Sequence, residues 1–230
     1  MMQAKKIFFL LIYLAVISCG RRQAALTLAS VAPRALEDML LTFSDNQEFR
    51  QFAPLAFHRL NTTRSMTAMA ELLAKSQPGS YEHMKSADYL AASGDQQWFP
   101  LLREVAMEKP QILDYVNDAS ELGGAEMLPS LMSLMQGPDK EFTVINAVSG
   151  MGYTGSRAAV PRLLELLRDP NANIADRARY SLRLLTHHSA GDQNANPQSE
   201  YPKWSQWWAR DGSSAPIYKA KECGDVTPLP

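Results

Sequence analysis

The chain has 230 residues, 46% of them hydrophobic, with 23 Lys and Arg against 24 Asp and Glu. A balance this close to neutral offers no whole-molecule field for nucleic acid, while the apolar content is ample for a sizeable core. Only two cysteines are present, so the fold must rest on packing rather than on a disulfide framework.

Lys5 and Lys6 precede an apolar run from Ile7 to Ile17, which ends at Val16-Ile17-Ser18-Cys19. A charged segment, an apolar segment and a small residue at a cut site form the layout of an export signal. As a helix the run rises only about 16 Å, short of the roughly 20 residues a membrane span needs. Cleavage is therefore expected, with an uncleaved anchor as the alternative. Val16 to Cys19 resemble the lipobox of bacterial lipoproteins. The resemblance implies residues 1–18 as signal peptide, acylation of Cys19, a tether over 19–32 and attachment to a membrane through the acylated cysteine. Multiple acyl chains meet the need for more than one anchoring signal, and Arg21 and Arg22 add attraction to anionic headgroups. Gly20 stands where aspartate would follow the cysteine, which for a Gram-negative lipoprotein implies the outer membrane and a periplasm-facing chain; the cell membrane is the other possible address. Loss of residues 1–18 removes Lys5 and Lys6 and no acid, leaving 21 basic against 24 acidic residues and Cys223 as the one unmodified thiol.

Three segments share the pattern Pro-x-Leu-x-x-(Leu/Val), beginning at Pro100, Pro129 and Pro161, the last two with Met or Leu at the fourth place. After a short break an apolar-periodic stretch follows: Ile112, Val116, Ala119 and Leu122 in one copy, and Ile174, Ala178, Ser181, Leu182 and Leu185 in the last. These spacings mark one helical face. Pro110 and Pro170 suit a first helical position, Asp139 and Asp169 suit caps, and Gly94, Gly123-Gly124 and Gly152 suit helix ends. Weaker copies run backwards through 69–90 and 35–60. The copy at 156–187, with Val160-Pro161-Arg162-Leu163-Leu164-Glu165-Leu166, resembles HEAT and HEAT-like repeats, and 125–155 resembles them through Asn146-Ala147-Val148-Ser149-Gly150-Met151-Gly152. The expected fold is all-α: a right-handed α-solenoid of about five HEAT-like helix pairs over 33–187. A single pair cannot bury both its apolar faces, and stacking supplies the cover.

Beyond a loop at 188–199, Trp204, Trp207 and Trp208 fall at i, i+3 and i+4 on one helical face. They predict a structural cap over 200–211 that closes the last pair; a sugar-stacking platform for cell-wall glycan is the alternative. Residues 212–230, with Pro216, Pro228, Pro230 and Cys223, are expected to be a flexible tail with an accessible thiol.

No catalytic constellation emerges from the residues. His187-His188 and Asp192 lack a third metal ligand at a useful spacing. The His-Glu pairs of metal-dependent HEAT-repeat hydroxylases are absent, since His58, His83 and His188 precede Arg59, Met84 and Ser189. The HEAT-like DNA glycosylases and bilin lyases fit poorly with export. The reading is a non-catalytic binding or scaffold protein of the cell envelope, without metal or small-molecule cofactor, that recognises a protein partner. An immunity-type lipoprotein that neutralises an envelope-targeted toxin shares the same features. Charge varies along the array, acidic over 96–126 and basic over 156–187. Asp114, Asp118, Glu121, Arg179 and Arg183, on second helices and opposite the expected buried stripes, are the candidate partner-binding residues.

Overall fold

The computed structural model describes residues 50–137, 141–190, 196–212, 214–220 and 226–228, together with Asp38. The signal segment, Cys19, the tether, the expected helix at 35–40, Asp139, Asp192 and Cys223 lie outside the described residues. Among the described residues the chain is all-α apart from one short hairpin, as the repeat pattern predicts. It divides into two compact units, 1–89 and 90–230.

The first unit holds α1 (Ala53–Leu60), α2 (Thr63–Lys75) and most of α3 (Tyr81–Ala92). Asn61 ends α1 in a left-handed conformation, and Thr62 then opens α2 with a reciprocal capping box. The Thr62 hydroxyl accepts from the Ser65 N–H at 3.0 Å, while the Ser65 hydroxyl accepts from the Thr62 N–H at 3.0 Å. Two of the donors that a helix start leaves without intrahelical partners are satisfied this way. α1 packs on α2, and Phe57, Met66, Met69, Leu72 and Leu73 are buried.

The second unit repeats one local plan three times. A short 3-10 turn (Gln96–Trp98, Gly124–Met127, Arg157–Ala159) leads into a first helix with proline in its opening turn, and a longer second helix follows. The first helices are α4 (Phe99–Glu108), α6 (Leu128–Leu134) and α8 (Val160–Leu166); the second are α5 (Leu113–Gly123), α7 (Glu141–Tyr153) and α9 (Ala172–Thr186). Pro100, Pro129 and Pro161 fit because the first turn needs no intrahelical N–H donor there. Pro110 and Pro170 do not take that position, since α5 starts at Leu113 and α9 at Ala172. Asn171 rather than Asp169 caps α9; Asp169 accepts the Asn171 N–H at 2.8 Å one step earlier.

Each first helix packs on its own second helix, and α7 packs against both α5 and α9. Glycine makes that stacking close. A Cβ at Gly150 would lie 2.7 Å from the Ser120 hydroxyl of α5, and one at Gly152 would lie 3.0 Å from the Ser181 backbone of α9. Gly152 is thus a contact point inside α7 and not the expected helix end; that role falls to Gly155, at φ +60. Gly94 and Gly124, both at positive φ, do lie at helix ends as expected. The Ser181 hydroxyl donates to the Val148 carbonyl at 2.8 Å, and Asn146 donates from Nδ2 to the Pro110 carbonyl at 2.9 Å. These two polar groups buried between helices are satisfied by backbone of the neighbouring pair, which helps fix the stacking register. On α9 the predicted stripe of Ile174, Ala178, Ser181, Leu182 and Leu185 is buried in full.

The cap runs over α10 (Pro197–Trp207) and a π turn at Trp208–Gly212, slightly longer than the expected 200–211. α10 packs on α8 and α9. The expected flexible tail is corrected by the structure: β1 (Tyr218–Ala220) pairs antiparallel with β2 (Val226–Pro228), and β1 packs against α7 and α9.

Candidate functional site

The final helix pair and its cap meet at Glu200. This carboxylate is 2% exposed and accepts from the Trp204 indole N–H at 3.3 Å, with Arg179 at 3.4 Å and Arg183 at 3.8 Å. Arg179 also pairs with Asp176 at 2.5 Å. Arg179 and Arg183 therefore do not line an open basic stripe. They face the cap, and only 13% and 22% of their side-chain surface remains exposed. The remaining arginines of this pair are largely engaged too. Arg162 pairs with Glu165, Arg168 lies over the Tyr201 ring, Arg177 over Tyr180 and Arg157 over Trp208. The charge of Arg179 and Arg183 is drawn inward because an acid outside the basic segment, Glu200, arrives on the cap.

Asp118 is likewise displaced from its expected place: it is 3% exposed. α5 is enclosed by α4, α7 and the turn after it, so the side of the helix opposite the predicted stripe is also covered. Asp114 and Glu121, near the two ends of α5, are half-buried. The five candidate residues thus do not form one exposed charged surface.

Trp204 is fully buried, as the capping role requires. Trp207 is half-buried and stacked on His188, with ring centroids 4.0 Å apart, and it meets Trp204 edge-on at 5.7 Å. Burial holds the His188 pKa below its usual value, against an opposing pull from Asp211. Trp208 lies beneath the Arg157 guanidinium. The indoles pack inward with side chains on them, unlike the open row of faces a sugar platform needs.

Apolar side chains do reach solvent from the second helices. Phe142, in the first turn of α7, is 74% exposed, and Tyr180 of α9 is 48% exposed. Beside Phe142, Glu141 accepts from Asn171 and Asn173 at 3.0 and 2.9 Å, which ties the turns of successive pairs together and holds its carboxyl below the usual pKa. The repeat pattern alone did not separate Phe142 from the core, because Phe142 lies one residue before Thr143, which is buried. Glu200 had a readable signal, lying four residues before Trp204 on the cap helix.

No cluster of three or more His, Cys, Asp or Glu suited to a metal ion occurs among the described residues, and no described helix is long and apolar enough to cross a membrane. A family model described as the PBS lyase HEAT-like repeat matches residues 144–169, which span most of α7, the following 3-10 turn and α8. No curated protein matches the chain. The architecture is that of an α-solenoid built from HEAT-like repeats, a class that suggests a scaffold or protein-interaction role.

Proposed function

We propose that the protein is a lipid-anchored scaffold of the cell envelope that holds a protein partner on its second-helix surface and performs no catalysis itself. The observation that carries the binding half is the exposure of Phe142 and Tyr180 on α7 and α9, whose other large apolar side chains are buried or half-buried. Large aromatic groups held on a rigid backbone lose little entropy on binding and are enriched at the energetic centres of interfaces. With Asp118, Arg179 and Arg183 turned inward, recognition is assigned to these aromatics, with Asp176 and Arg177 supplying a polar margin. The anchoring half rests on the Val16-Ile17-Ser18-Cys19 sequence and its position after the apolar run. The test places a photo-crosslinking side chain at position 180 of the lipidated protein in its native membrane. One discrete protein adduct, lost on Phe142→Ala, is expected.

A further inference from the structure

The segment that follows the cap returns to the array it has just closed. The Arg157 guanidinium, in the 3-10 turn that opens the final pair, donates to the carbonyls of Gly212, at 2.8 Å, and Ala215. Ile217 is then buried to 5% exposure, and the Tyr218 ring stacks on His187 with centroids 4.0 Å apart. His187 is the C-cap of α9, in a left-handed conformation at φ 50, so its ring is presented at the end of that helix. β1 then packs against α7 and α9, the second helices of two successive pairs. An extended segment of this chain is thus seated on the kind of surface that helical-repeat arrays use for partners.

A two-stranded hairpin has little stability of its own, so its seat on the array holds it in place; among the described residues the docking contacts include the Arg157 hydrogen bonds, buried Ile217 and the Tyr218–His187 stack. Covalent attachment supplies the rest, because a tethered segment acts at an effective concentration in the millimolar range. A segment of this kind is exchangeable: a competing ligand that takes over its contacts displaces it, while the repeat core beneath stays folded.

We propose that the C-terminal hairpin is an intramolecular ligand: residues 216–220 occupy surface on α7 and α9 that an extended segment of the partner protein takes when the hairpin is released. This rests on the reading that second helices form the partner surface, and it adds a self-masking step to it.

The test uses the full chain. Ile217→Asp releases the hairpin from its seat, and Tyr218→Ser provides a second release; both change only the hairpin and leave the array surface, Arg157 included, intact. A labelled synthetic peptide of residues 213–230, with Cys223→Ser, is titrated against parent and variants by fluorescence anisotropy. In parallel, adduct yield from the crosslinker at position 180 is compared, with and without the unlabelled peptide. Both released variants are expected to bind the peptide at least about tenfold more tightly than the parent, whose site is filled from within. They are also expected to give more partner adduct, and the peptide is expected to compete with it. Folded variants that bind the peptide no better than the parent overturn the inference. Peptide binding with adduct yield unchanged or lowered also overturns it, since the hairpin is then a structural cap and partner binding stands without it. Adduct absent from every protein, with the peptide still binding, removes the partner-surface reading and the masking role with it.

Discussion

Glu200 joins the cap to the last helix pair, and its removal gives the sharpest test of how that end is held. Glu200→Ala leaves the Trp204 indole N–H without its carboxylate acceptor and strips Arg179 and Arg183 of a shared buried counter-charge. Breaking a buried pair typically costs 3–5 kcal/mol because charge is left uncompensated. The contacts to the two arginines are long, at 3.4 and 3.8 Å, and both side chains keep some solvent access. The lower end applies, about 3 kcal/mol, or roughly 6–12 °C in melting temperature for a chain of this size. Glu200→Gln retains an oxygen for Trp204 but no charge, and should lose about half as much. Urea unfolding followed by tryptophan emission and by far-ultraviolet circular dichroism gives both values. If Glu200→Ala lies within about 0.5 kcal/mol of the parent, the carboxylate behaves as a surface group and the account of the cap is wrong.

Gly152→Ala is expected to destabilise by about 1–3 kcal/mol, because the added Cβ meets the Ser181 backbone at 3.0 Å and α7 and α9 must separate; a melting temperature equal to the parent's contradicts glycine-dependent stacking. His188 is held below its ordinary pKa by burial, so its contribution to stability is complete above the unfolded value near 6.5 and is lost as pH falls through the lower folded value. Melting temperature should therefore fall from pH 7 to 5 by more in the parent than in His188→Phe, the remainder including His58, whose pKa burial also lowers; identical slopes remove the claim. Cys19→Ser is expected to abolish radiolabelled fatty-acid incorporation and membrane attachment, and label persisting in the variant contradicts lipid anchoring through this residue.

The helix pairs were legible because a buried stripe imposes its period on the sequence: the α9 positions from Ile174 to Leu185 are buried as read, and the three prolines occupy equivalent first turns. The candidate surface was less legible. A helix sandwiched between neighbours buries more than one face, so Asp118 on the polar side of α5 is enclosed although its spacing is amphipathic, and Asp114 and Glu121 are half-buried. The inward turn of Arg179 and Arg183 depends on Glu200, 21 residues beyond Arg179 and on the cap. Periodicity within one helix carries no information about such a partner. The hairpin escaped for a related reason. Its strands are three residues each and too short for an alternating pattern; β1 is ordered by docking on α7 and α9, and β2 by pairing with β1. Gly152 looked like a helix end because glycine serves both for termination and for close approach, and only the distance to Ser181 separates the two.

The central claim, that the second helices present the partner surface, is tested most directly by site-specific photo-crosslinking in the native membrane from two positions of the lipidated protein. One probe stands at position 180 on α9, the other at position 104, an exposed site on the first helix α4. A discrete protein adduct from position 180, absent from position 104 and lost when Phe142 becomes alanine, is the expected result. The same adducts from both positions, or none from position 180, would contradict it.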